Sequence, residues 1–152
     1  MKVLVTGADG FIGRNLRLRL TRTEGIEILP FDVSSEPGTL QRFLATADAI
    51  VHLAGINRPL EPSEYMTGNL GLTSDIANYL ESSGRSTPII FSSSIQAMLD
   101  NDYGKSKRAA EDRLMAYAET TGARKRKNRE KLRRARKQLE KAIRSVKREC
   151  GS

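Results

Sequence analysis

Up to Gly122 the chain alternates short apolar runs, closed off by turn residues, with longer stretches whose apolar positions recur every three or four residues. The first kind fits buried strands and the second amphipathic helices. Strands are predicted at 2–6, 26–31, 49–53 and 89–92. Helices are predicted at 11–23, 39–45, 65–80 and 103–120, the third with a break near Gly68 or Gly71. Gly38, Gly55, the 58–62 stretch, and Gly84 with Pro88 punctuate these elements as turn chemistry requires. Strand and helix in alternation build a parallel sheet covered by helices, so the pattern predicts an α/β fold with a doubly wound sheet of about four strands. A sheet of that kind takes its ligand beyond the carboxyl ends of the strands, at the first loop and the loops after Leu53 and Ser92.

From 125 to 150 the pattern changes. There is no Gly or Pro, and Leu132, Ala135, Leu139, Ala142 and Val146 recur at helical spacing, with Ile143 widening the stripe. Glu130 with Arg134 and Glu140 with Arg144 form favourable i, i+4 pairs. Alanine at alternate seam positions makes a poor independent coiled coil, so the apolar face is expected to dock on something larger. Charge marks the same boundary. Residues 1–122 hold 12 Lys or Arg against 15 Asp or Glu, and residues 123–152 hold 14 against 3, so the overall net charge of +8 averages two unlike regions. The expected organisation is a domain at 1–122 and a basic helical extension at 123–152. Three readings of the extension stay open: a docked or assembly helix, a basic surface for nucleic-acid phosphates, and an unstructured extension. Phosphate binding would be salt-dependent, and with no aromatic residue among the charges, base stacking is unsupported.

The 152 residues suit one domain, and no apolar run is long enough to span a bilayer. Residues 1–5 are cut off by Thr6 and Gly7 before they resemble a signal peptide. One cysteine, Cys150, forms no internal disulfide, which predicts a cytoplasmic protein; its place beside the Gly151–Ser152 end also suits chemical attachment. One His and one Cys give no metal-ligand set, and His52, inside a predicted strand, reads as a core residue.

The candidate chemistry begins where the first strand turns on Gly7, Gly10 and Gly13 into a helix opened by Phe11 and Ile12. Glycines let backbone N–H groups at a helix start approach a phosphate without Cβ interference, and the helix dipole favours negative charge there. With Asp32 at the end of the second strand, the context fits a dinucleotide pyrophosphate and its ribose. Tyr103 and Lys107, at i and i+4, lie on one helix face, and a cationic neighbour favours a phenolate. An unplaced pair of this kind is ordinarily a solvated surface pair; the order of the surrounding motifs raises its standing.

The 6–13 stretch, Thr-Gly-Ala-Asp-Gly-Phe-Ile-Gly, resembles the opening of extended short-chain dehydrogenases/reductases, a Rossmann-like family. Asp48 with His52-Leu53-Ala54-Gly55, Asn69 with Gly71 and Thr73, the serines 92–94, and Tyr103-x-x-x-Lys107 resemble that family's later motifs in order. A narrower likeness, carried by 52–59, 94–97 and 100–107, is to the reductase domain of capsular polysaccharide enzymes making UDP-N-acetyl-L-fucosamine precursors. The short span from Ser94 to Tyr103 supports it. The resemblance implies NAD or NADP as cofactor, held by Gly7, Gly10, Phe11, Ile12, Gly13, Asp32, Leu53, Ala54, Gly55, Asn69, Tyr103 and Lys107. It implies catalysis by Ser94, Tyr103 and Lys107 on a UDP-sugar. Asp32 favours NAD, whereas Arg14 or Arg58 could meet a 2′-phosphate, so the choice between them stays open.

After Gly122 the family pattern would continue with a further strand and a small sugar-gripping domain, and in the narrower family an epimerase domain follows. None of these is legible in 123–152. The expectation is therefore a cofactor-binding portion of a nucleotide-sugar reductase or epimerase, without useful turnover because substrate-positioning contacts supply much of the rate. The rival expectation is a catalytically empty scaffold whose tail serves packing, self-association through an uncovered sheet edge, or nucleic-acid binding.

Overall fold

The computed structural model describes residues 1–122 and, in the tail, residues 137, 138, 140 and 141, which are helical. The tail's seam residues Leu132, Ala135, Leu139, Ala142 and Val146, together with Cys150, lie outside the described residues. Up to residue 122 the chain forms two compact units, one of residues 1–54 and 87–91 and the other of 55–86 and 92–122.

The first unit holds strands β1 (Lys2–Thr6), β2 (Glu27–Phe31), β3 (Ala49–His52) and β4 (Ile89–Phe91), with helices α1 (Phe11–Thr21) and α2 (Thr39–Thr46). All pairings are parallel, in the order β2-β1-β3-β4. Val3 pairs with Ile28 on one side and Ala49 on the other, and Val51 pairs with Ile90. Pro30 explains why β2 lies at an edge: it has no N–H to give a second neighbour. Every residue of β3 is buried, and its apolar run Ala49-Ile50-Val51 suits a central parallel strand. Val3, Val5, Ala49 and Val51, all on one face by the period of two, form a buried cluster with Ala8, Leu16 and Leu20. Leu16 and Leu20 come to that face because they sit one turn apart on α1.

The second unit holds α3 (Ser63–Tyr65), a π-helical stretch (Met66–Gly71), α4 (Leu72–Ser82), a 3-10 helix (Ile95–Met98) and α5 (Asp102–Gly122). Asn101 starts α5, its Oδ1 accepting from Gly104 N at 2.7 Å. Arg113 ties α5 to α4 through both carboxylate oxygens of Glu81, the shorter contact 2.7 Å, and through Asn78 Oδ1. This guanidinium holds the Glu81 carboxyl below its ordinary pKa.

The expected elements are present, with ends moved by one or two residues. The expected break near Gly68 or Gly71 is corrected. Gly71 keeps right-handed helical angles and the helix widens to a π stretch instead of ending, while Thr73 Oγ1 donates to Asn69 O at 2.6 Å. No helix among the described residues is long and apolar enough to cross a membrane.

Gly7 carries the strictest constraint of the first unit, with φ +68° and a position where a Cβ would lie 2.7 Å from Ala54 N. Gly7→Ala is expected to lower unfolding free energy by about 2–4 kcal/mol, from left-handed strain and a backbone clash. Urea denaturation followed by circular dichroism measures it.

Candidate functional site

In the first unit, the loop after β1 is drawn against the end of β3. Thr6 Oγ1 accepts from Ala54 N at 3.2 Å and lies 2.6 Å from Nδ1 of the buried His52; Leu53 N donates to Thr6 O. His52 thus serves the sheet, its ring packed 5.3 Å from that of Phe91. At Gly13 a Cβ would come within 2.8 Å of Ala8 O, so α1 starts hard against the loop. Ala8 N donates to Phe31 O, which joins the loop to the end of β2.

Asp32 completes that corner. Its Oδ2 accepts from Asp9 N and its Oδ1 from Val33 N, each at 2.8 Å. Arg17 braces the other side of the loop, reaching Asp9 Oδ1 at 2.8 Å and Ala8 O at 3.2 Å. The first turn of α1 has no side-chain cap and no acidic residue, and Phe11 there is 71% exposed. Open backbone N–H groups at the positive end of a helix dipole, beside glycines and an anchored carboxylate, fit the pyrophosphate and ribose of a dinucleotide. Gly7, Gly10, Phe11, Ile12, Gly13 and Asp32 are brought together here, with Leu53 and Ala54 at the end of β3.

In the second unit, Lys107 is buried on α5, with Nζ 3.3 Å from Ser92 O and 5.9 Å from the centre of the Tyr103 ring. Burial pushes the Lys107 ammonium below the ordinary lysine pKa, and the charge of Glu111 one turn on opposes that shift. Tyr103 is half-buried, and Tyr65 meets its ring edge-on at 5.6 Å. Ser94 Oγ accepts from Gln96 N at 3.2 Å, which leaves its O–H able to donate. A cleft of about 480 Å³, lined by Ser94, Ile95, Ala97, Met98, Arg108 and Glu111, opens beside that hydroxyl.

Asn69 is buried in the π stretch with its amide fully engaged. Oδ1 accepts from Ile56 N at 2.8 Å, and Nδ2 donates to Ile56 O at 3.0 Å and to Ser106 Oγ at 2.9 Å. Ser106 passes the tie on, donating to Tyr103 O at 2.7 Å. Asn69 thereby fixes both the loop after β3 and the first turn of α5. Gly55 lies against this group, where a Cβ would meet Asn69 Oδ1 at 2.8 Å and Lys107 Nζ at 2.9 Å. No group of three or more potential metal ligands exists among the described residues.

Residues 3–127 match the model of the NAD dependent epimerase/dehydratase family. The chain belongs to this family. It is 49% identical over 122 residues to a UDP-2-acetamido-2,6-beta-L-arabino-hexul-4-ose reductase of Pseudomonas aeruginosa, covering 80% of this chain and 33% of that protein. It therefore spans about a third of that relative's length. The capsular polysaccharide assembling protein CapF of Staphylococcus aureus superimposes with a TM-score of 0.68 at 40% identity, over 80% of this chain and 33% of CapF. RMD of Pseudomonas aeruginosa, solved with NADPH, superimposes with a TM-score of 0.66 at 26% identity, over 80% of this chain and 50% of RMD.

The sequence did not single out Arg17 or Tyr65, and it brought in Ser106 only within the 100–107 likeness; all three bond or pack against candidate site residues or their loop. Lys107 itself gives a test. With its pKa lowered in the folded chain, the unfolded state binds more protons as pH approaches the ordinary lysine value of about 10.4, so stability rises there. Lys107→Met, which buries no charge, is expected to be the more stable form at neutral pH. Its advantage narrows as pH is raised toward 10, as urea titrations at stepped pH would show.

Proposed function

We propose that this chain carries the dinucleotide-binding part of a reductase that acts on the 4-keto group of a UDP-linked sugar in capsular or surface polysaccharide synthesis. The supporting observation is the buried Lys107 beside the Tyr103 ring on α5, with the Ser94 O–H able to donate; the cleft at Ser94 is lined by neither Tyr103 nor Lys107. The substrate class follows from the likeness to the Pseudomonas aeruginosa reductase and to CapF.

The glycine loop and the first turn of α1 hold the pyrophosphate through backbone N–H groups, and Asp32 accepts from a ribose hydroxyl. A bound NADH or NADPH supplies the hydride. Tyr103 donates its phenolic proton to the carbonyl oxygen as that oxygen gains charge, while Ser94 donates a hydrogen bond to the same oxygen. The Lys107 ammonium offsets the charge left on the phenolate, and water then returns the proton. Asn69 and Ser106 keep Tyr103 and Lys107 in place by holding the first turn of α5.

Mixing the chain with NADPH or NADH and a UDP-linked 2-acetamido 4-keto sugar tests this through loss of nicotinamide fluorescence. Dinucleotide binding is expected together with slow substrate-dependent oxidation, in keeping with the low turnover expected when substrate-positioning contacts are few, and that slow rate falls by about 100-fold or more in Tyr103→Phe with dinucleotide affinity kept. Dinucleotide binding without oxidation for any 4-keto sugar would reduce the chain to a binding module and overturn the catalytic reading.

A further inference from the structure

Hydrophobic burial does little to hold the segment that carries Ser94. In the 3-10 helix only Ala97 is buried, while Ile95 is 89% and Met98 83% exposed, and Leu99 beyond it is also exposed. Polar ties to α5 take over. Arg108 donates from Nε to Ala97 O at 2.7 Å and from Nη2 to the same oxygen. One turn earlier on the helix, Gly104 lies so close that a Cβ would come 2.7 Å from Leu99 O, and its N–H donates to Asn101 Oδ1. Eight residues separate Ser94 from Tyr103, so the connection is short and depends on these ties.

Building on the roles given above to Ser94, Tyr103 and Lys107, we infer that Arg108 is a positioning residue: clamped on the Ala97 carbonyl, its guanidinium fixes the Ser94 hydroxyl against the helix that carries Tyr103 and Lys107. A guanidinium suits the task because its planar fork presents two N–H groups to one oxygen, and a cationic donor strengthens both bonds. Lysine at this position offers a single flexible point charge. The rest of α5 is anchored independently through Arg113 with Glu81 and Asn78, and by buried Ala110 and Tyr117. Loss of Arg108 therefore loosens the serine segment and leaves the helix in place.

The test compares the unmutated chain with Arg108→Ala and Arg108→Lys. Amide hydrogen exchange at 95–98 is expected to accelerate about 10- to 100-fold in Arg108→Ala, the factor set by one lost charge-assisted tie, and less in Arg108→Lys; amides of β1 keep their rates. In 4-keto sugar reduction kcat falls by a comparable factor while KM for NADPH holds, and added methylguanidinium restores part of kcat in Arg108→Ala. Unchanged exchange at 95–98 in both variants overturns the inference, as does faster exchange with kcat intact. An unmutated chain that binds no dinucleotide and reduces no sugar overturns the proposed function instead, and the exchange rates still decide whether Arg108 holds the segment.

Discussion

The loop that defines this molecule exists because two backbones can approach where a side chain would keep them apart. Gly7 turns with positive φ against the Ala54 backbone, and Gly13 brings α1 down onto Ala8. Neither approach tolerates a Cβ. The parallel β1–β3 pairing, closed at its carboxyl end by Thr6 with Ala54 and His52, sets the distance at which this happens. Once the loop is seated, Asp32 and Arg17 have only to brace it, and the first amides of α1 are left open for an anion.

The second unit solves a different problem, the keeping of a cation in a buried place. Lys107 is buried with its ammonium on a backbone carbonyl, and Ser106 and Asn69 convert a wide helical turn into a clamp that holds the helix on which it sits. A π stretch costs regular helical hydrogen bonding, so its presence here points to the geometry Asn69 needs to reach both polar groups of Ile56. Burying the Lys107 ammonium costs stability that a methionine there would keep.

The strands and most helices were legible because their signals are periodic and local: short apolar runs closed by turn residues, and apolar positions recurring every three or four residues. That the glycine loop and Asp32 meet at one corner was legible for the same reason, since strand, turn and helix follow one another there. The π stretch was not, because a glycine that widens a helix and one that ends it look alike in a single sequence. The 3-10 helix was hidden by Ile95 and Met98, whose spacing of three suggests a buried face although both stand in water. Asn69 carried a motif but not its task, which depends on Ile56 and Ser106 far along the chain. Arg108, in a charged stretch, looks like a solvated cation until Ala97 O is seen beneath it.

Calorimetric titration of NADH and NADPH into the unmutated chain and into Gly10→Val decides whether the open first turn of α1 holds a dinucleotide. Gly10 has ordinary extended angles and a Cβ there would lie 3.3 Å from Gly7 O, so a side chain needs the loop backbone to give by a few tenths of an ångström, and circular dichroism of Gly10→Val checks that the fold is kept. Saturable binding of one dinucleotide per chain, insensitive to added salt and lost in a folded Gly10→Val, is the predicted result. Absence of binding by either dinucleotide, or equal affinity in Gly10→Val, would contradict it.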